Sequence, residues 1–113
     1  MPNINNFNDL EIIKGGKTRL ESVRNALKKT KFKSKYVLIH DVARPLNSFK
    51  TINNIVKNLA EKKFDCVVPY SKCSDTVIIK HHNLDRDKLK LIKTPQGFHK
   101  NKLIFLHNKN KNN

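Results

Sequence analysis

A chain of 113 residues, 37% of them hydrophobic, is one domain at most and builds only a small core, burying roughly two thirds of its unfolded surface. Its net charge is +15, yet 20 of its 24 basic residues are lysines, spread over loops, helix faces and tail without aromatic interleaving. Compositional bias explains that charge better than a nucleic-acid face does. No 18-residue apolar run exists, and MPNINNFNDL has neither a basic n-region nor an apolar h-region, so no transmembrane helix or secretory signal is expected and the chain reads as cytoplasmic.

Residues 1–10 are polar, Asn-rich and expected to be loose. EIIK, residues 11–14, reads as a short strand leading into Gly15-Gly16. Thr18 to Glu21 has the form of a capping box, and Leu20, Val23 and Leu27 fall on one helical face. Basic residues 28–35 end that helix. Tyr36–Asp41 is a short apolar strand. Ser48 is a helix N-cap, with Ile52, Ile55, Val56 and Leu59 along one face of the helix it starts. Phe64–Tyr70 reads as the next strand. Strand, helix, strand within about 35 residues is a right-handed βαβ crossover and implies neighbouring parallel strands.

The second half is expected to form a β-arm over about 72–93: a strand at 75–80, a turn at His81-His82-Asn83, and a returning strand at 89–93. TPQGF, 94–98, reads as a turn. A last helix is expected over 100–107, ahead of a Lys/Asn tail at 109–113. Cys66 and Cys73 read as two reduced, buried thiols with no CxxC partner for a zinc site. His40 reads as a strand-end histidine bonded locally, and His81-His82 as solvated residues of a turn.

Three stretches carry candidate chemistry. Asp41 sits at the carboxyl end of a strand, where open α/β sheets bind ligands. A carboxylate there suits Mg²⁺, which takes a few carboxylates together with substrate phosphates and water. Arg44, three residues on, can face the same anionic site, or can close the loop by pairing with Asp41; from this stretch alone both readings stand. Arg19, Arg24, Arg44 and Arg86 are the only arginines in a lysine-rich chain, and Arg offers a planar fork that Lys cannot copy. Gly15-Gly16 before a capped helix permits close approach of an anion to free N–H groups, though a plain turn is the simpler reading. Asp75-Thr76, Leu84-Asp85-Arg86 and Thr94-Pro95-Gln96 are each compatible with ordinary turn chemistry.

Taken in order, these stretches form a pattern. GGKTRLESVRNAL at 15–27, VLIHDVARP at 37–45, SDT at 74–76, LDR at 84–86 and TPQGF at 94–98 together resemble the 2-C-methyl-D-erythritol 4-phosphate cytidylyltransferase family of nonmevalonate isoprenoid biosynthesis. The resemblance covers residues 11–108. The related ribitol-5-phosphate cytidylyltransferases more often carry HDAVRP. It implies an α/β, Rossmann-like nucleotidyltransferase sheet, here partial, with a protruding β-arm used for homodimerisation. It implies transfer of a cytidylyl group from CTP to the polyol phosphate with release of pyrophosphate, assisted by Mg²⁺ or another divalent cation. By motif, Asp41 would hold the metal and stand beside the substrate, and Arg44 would organise the loop and the phosphate region. Gly15, Gly16, Ser22 and the backbone of Val42 would meet the nucleotide. Thr76 and Arg86 on the arm, with Thr94, would bind the polyol phosphate, the arm reaching a partner subunit's site.

The pattern also departs from the family. An A-A-G-x-G-x-R-M loop with its catalytic lysine, a TDDAS-like stretch and a late lysine have no counterpart here, and Lys17 stands where acidic or small residues are common. Losing charge-stabilising donors costs about 2–4 kcal/mol each, so the chain reads as a central fragment of weak or no activity. The competing reading is a small basic module of the same fold that binds RNA or anions.

Overall fold

Two strands that are distant in sequence meet on a third in this protein, and a glycine in that third strand lets a helix lie across them. The structure, a computed structural model, describes residues 10–31, 33–43, 48–61 and 63–109. The chain groups into two units, one of residues 1–34 with 104–113 and one of residues 35–103.

In the first unit, helix α1 (Arg19–Lys29) starts from the capping box. The Thr18 hydroxyl accepts the Glu21 N–H at 3.1 Å. The Glu21 carboxylate reaches back one residue further than expected and accepts the Lys17 N–H at 2.7 Å. One free amide of the first turn and the amide of the residue before the cap are thereby satisfied. Leu27 is buried, whereas Leu20, also expected on the apolar face, is exposed. Residues 11–14 are not a strand. Their polar groups are taken up by α1 instead: the Lys14 carbonyl accepts from Asn25 Nδ2, and Glu11 Oε1 accepts the Lys31 N–H at 2.9 Å past the helix end. His107, from the end of α3 (Lys100–Lys109), is buried in this unit. Its Nδ1 and the Nε of Arg24 are buried without a hydrogen-bond partner among the described residues. Burial pushes the His107 imidazole below its ordinary pKa, and the nearby Arg24 charge adds to that.

The second unit holds a three-stranded sheet in which β1 (Tyr36–Ile39) and β2 (Cys66–Val67) both pair antiparallel with β7 (Gln96–His99) between them. The expected crossover therefore exists, with β1 and β2 parallel to each other, but they are not neighbours. The stretch that read as a turn, QGF, supplies the strand that separates them. Helix α2 (Phe49–Ala60) forms the crossover, its N-cap Ser48 accepting the Thr51 N–H at 3.2 Å. Its Ile55 and Leu59 are buried over β7, worth roughly 1.5–3 kcal/mol each. A side chain on Gly97 would leave no room for them: an added β-carbon would overlap Ile55 Cγ2 and lie 3.0 Å from Leu59 Cδ1.

The expected strand over 64–70 is split. After β2 the chain passes Val68-Pro69 and begins β3 (Tyr70–Lys72), which pairs with β6 (Lys90–Ile92). Lys90 Nζ lies 4.7 Å from the centre of the Tyr70 ring, a cation–π contact across this ladder. Beyond it, β4 (Val77–Ile79) and β5 (His82–Leu84) form a hairpin. Its turn is Lys80-His81, both with positive φ (45° and 72°), so His82 and Asn83 are strand residues rather than turn residues. Both cysteines are free, but only Cys73 is buried; Cys66 faces outward on β2 while Val67 turns inward. Asp65 and Lys102 form an exposed ion pair that holds the Asp65 carboxyl below its usual range. Among the described residues no helix is long and apolar enough to cross a membrane.

Candidate functional site at the strand ends

Asp41 and Thr94 face each other just beyond the β1–β7 ladder. The last rung pairs Ile39 with Gln96, so continuing the register sets His40 opposite Pro95 and Asp41 opposite Thr94. His40 and Pro95 form a pair that exchanges no main-chain hydrogen bonds, since such pairs alternate with bonded ones from Lys35 and Lys100 onward. The Thr94 side chain carries the connection instead. Its hydroxyl oxygen accepts the Asp41 N–H at 3.3 Å and lies 2.9 Å from His40 Nδ1. Pro95, fully buried, anchors the same corner. Two motifs more than fifty residues apart, IHD and TPQ, are thus brought together at the carboxyl end of β1. His40, expected to bond locally, makes this bond across the sheet, and only the register shows it.

Asp41 is half-buried. No group of three His, Cys, Asp or Glu side chains that could hold a metal exists among the described residues. A single strand-end carboxylate therefore fits a Mg²⁺ that draws its remaining ligands from phosphate oxygens and water, and does not fit a closed protein cage. Val42, next along, is almost fully exposed in a turn. Arg44 lies outside the described residues.

The glycines and Ser22 form a second arrangement, within the first unit. Ser22 Oγ accepts the Gly16 N–H at 3.0 Å and donates to the Thr18 carbonyl at 3.0 Å. A β-carbon on Gly15 would lie 3.0 Å from Ser22 Oγ, and one on Gly16 would overlap the Glu21 side chain. No glycine has a positive φ, so close approach, not a left-handed backbone, demands glycine here. With its hydrogen committed, the Ser22 hydroxyl keeps one lone pair and can only accept a further bond.

The arm holds the third arrangement. Arg86 Nη1 donates to the Ser74 carbonyl at 2.8 Å, and the Cys73 thiol donates to the Asp75 carbonyl at 3.4 Å. The Asp85 side chain accepts the Asp87 N–H and starts the short turn that carries Arg86. SDT and LDR are thereby clipped together, with Thr76 and Arg86 both exposed.

Comparison with known proteins agrees with this architecture. The family model "IspD: 2-C-methyl-D-erythritol 4-phosphate cytidylyltransferase" matches residues 2–113. The bifunctional enzyme IspD/IspF of Pelagibacter ubique is 45% identical over 108 residues, covering 91% of this chain and 29% of that protein. That of Campylobacter lari is 47% identical over 88 residues, covering 78% of this chain and 23% of that protein. The solved bifunctional IspDF of Campylobacter jejuni superposes with a TM-score of 0.77 at 35% identity, over 96% of this chain and 28% of that one. The chain therefore spans about a quarter of the length of the curated relatives it matches. A family model matched along nearly the whole chain, on a sheet whose strand ends join the IHD and TPQ motifs, makes this chain a member of the 2-C-methyl-D-erythritol 4-phosphate cytidylyltransferase family.

Proposed function

We propose that this chain contributes to a site that transfers the cytidylyl group of CTP to 2-C-methyl-D-erythritol 4-phosphate. The hydrogen bond from the Asp41 N–H to the Thr94 hydroxyl carries this reading, because it brings the IHD and TPQ motifs together at one strand end. In the reaction an oxygen of the polyol phosphate attacks the α-phosphorus of CTP in line. The new P–O bond forms as the bond to the bridging oxygen of the β-phosphate breaks, and pyrophosphate leaves. Such chemistry asks the protein for positioning and charge stabilisation rather than covalent participation.

Asp41 would hold Mg²⁺ or another divalent cation, which when bound neutralises charge on the phosphate oxygens. Gly15 and Gly16 would let the nucleotide approach the backbone, with Val42 offering its main chain. Ser22, able only to accept, suits the amino group of cytosine, a donor that uracil lacks. Arg86 and Thr76 on the arm, and Thr94, would meet the polyol phosphate; Arg44 would order the loop after Asp41. Pairing of two copies through the arm would carry Thr76 and Arg86 to the partner's site.

Binding of Mg²⁺–CTP and methylerythritol 4-phosphate to the labelled chain, followed by amide shifts alongside a pyrophosphate-release assay, tests this reading. Shifts at Asp41, Val42, Gly15 and Gly16 that prefer CTP over ATP, and whose Mg²⁺-dependent part is lost in Asp41→Asn, are expected. Equal response to ATP and CTP, or RNA binding with a steep salt dependence in their place, would replace it with the anion-binding reading suggested by the +15 charge.

A further inference from the structure

We propose that His40 is a positioning residue for Asp41, acting through the Thr94 hydroxyl; the inference deepens the reading of Asp41 as the metal and nucleotide carboxylate. At this corner, past the last rung of Ile39 with Gln96, a side chain joins the ends of the two strands. The Thr94 hydroxyl accepts the Asp41 N–H and so ties the end of β1 to the chain entering β7. A threonine hydroxyl rotates freely unless a second partner fixes it. His40 Nδ1, at 2.9 Å and from the adjacent residue of the same strand, is that partner. With the Oγ1–Nδ1 line occupied, an Oγ1 lone pair is left facing the Asp41 N–H. The direction in which the chain leaves the sheet, and with it the aim of the Asp41 carboxylate, follows from that bond. The role belongs to a hydrogen-bonding atom at the Nδ1 position, and an imidazole ring is not required.

Substitution can therefore separate position from ring. The Asn amide reaches the place of Nδ1, the Gln amide reaches the place of Nε2, and Phe keeps the ring shape with neither. The experiment measures amide hydrogen exchange at Asp41 and Mg²⁺–CTP affinity by calorimetry in the whole chain. The variants are His40→Asn, His40→Gln, His40→Phe, Thr94→Ser, Thr94→Val and the pair His40→Phe/Thr94→Val. Loss of one hydrogen bond is expected to speed Asp41 exchange about tenfold in His40→Gln, His40→Phe and Thr94→Val. Mg²⁺–CTP affinity should fall about threefold to tenfold in the same variants, and both properties should stay near wild type in His40→Asn and Thr94→Ser. The double variant should be no worse than either single one, because both remove one connection.

Unchanged Asp41 exchange in His40→Gln and His40→Phe overturns the proposal. So do additive losses in the double variant, or a failure of Asn to preserve what Gln loses. Should His40→Phe not fold, the polar Asn and Gln variants give the same comparison. Absence of CTP binding in the wild type would end the nucleotide reading alone, since the exchange measurements test the connection without any ligand.

Discussion

Gly97, in the middle of the central strand, has Ile55 of α2 lying directly on it, with no space for a single methyl group between them. That contact lets the crossover helix sit low enough to bury Ile55 and Leu59. Gly97→Ala should cost about 1–3 kcal/mol by overpacking. At about 4–8 °C per kcal/mol for a domain of this size, thermal unfolding followed by circular dichroism will show a clear drop in Tm. Ile55→Val in the same background should recover part of the loss; a Tm equal to wild type in Gly97→Ala would contradict the packing described.

The hairpin tip carries the opposite opportunity. Lys80 and His81 both sit at positive φ, where side chains with a β-carbon cost roughly 1 kcal/mol each. A two-residue loop of this kind prefers Asn-Gly. Lys80→Asn/His81→Gly should stabilise the arm by about 1 kcal/mol and slow amide exchange in 77–84. Faster exchange there would show that the turn is held by something other than its own backbone preference.

Ser22 joins the glycine turn to the helix start, and its remaining lone pair is an acceptor only. Ser22→Ala should destabilise the turn by about 1 kcal/mol. If the proposed nucleotide contact is made, it should also reduce discrimination between CTP and UTP, seen as a narrowing of the ratio of their dissociation constants. An unchanged ratio with the expected loss of stability would leave Ser22 a structural residue.

His107 ties stability to pH. Its pKa in the folded chain is held below the ordinary value of about 6.5 by burial and by Arg24. The fold thus favours the neutral ring. Stability from this group is full above the unfolded pKa and is lost as pH falls through the folded one, because the unfolded chain binds the proton first. The stability of wild type relative to His107→Leu should be constant above about pH 7. Below about pH 6.5 it should decline by no more than about 1.4 kcal/mol per pH unit, the limit for one proton. A difference that rises on acidification would mean that the buried ring gains a partner when charged.

Local chemistry settled much of this protein from sequence alone. Thr18 and Ser48 cap their helices because each side chain serves the amide three residues on, and the periodicity of α2 names its buried face without knowledge of what covers it. The motifs around Asp41 and Thr94 likewise name their family, since each is a short run whose residue order is visible. What the sequence could not show depends on residues far apart in the chain. EIIK has strand composition but bonds to the Asn25 side chain of α1 and to the Lys31 N–H beyond it. QGF has turn composition but becomes the central strand, paired on both sides and with Ile55 of α2 lying on its glycine. The bond from His40 to Thr94 exists only once β1 and β7 are paired in one register. Propensity and capping act within a few residues, whereas register and close packing are set by partners that only the folded chain brings within reach.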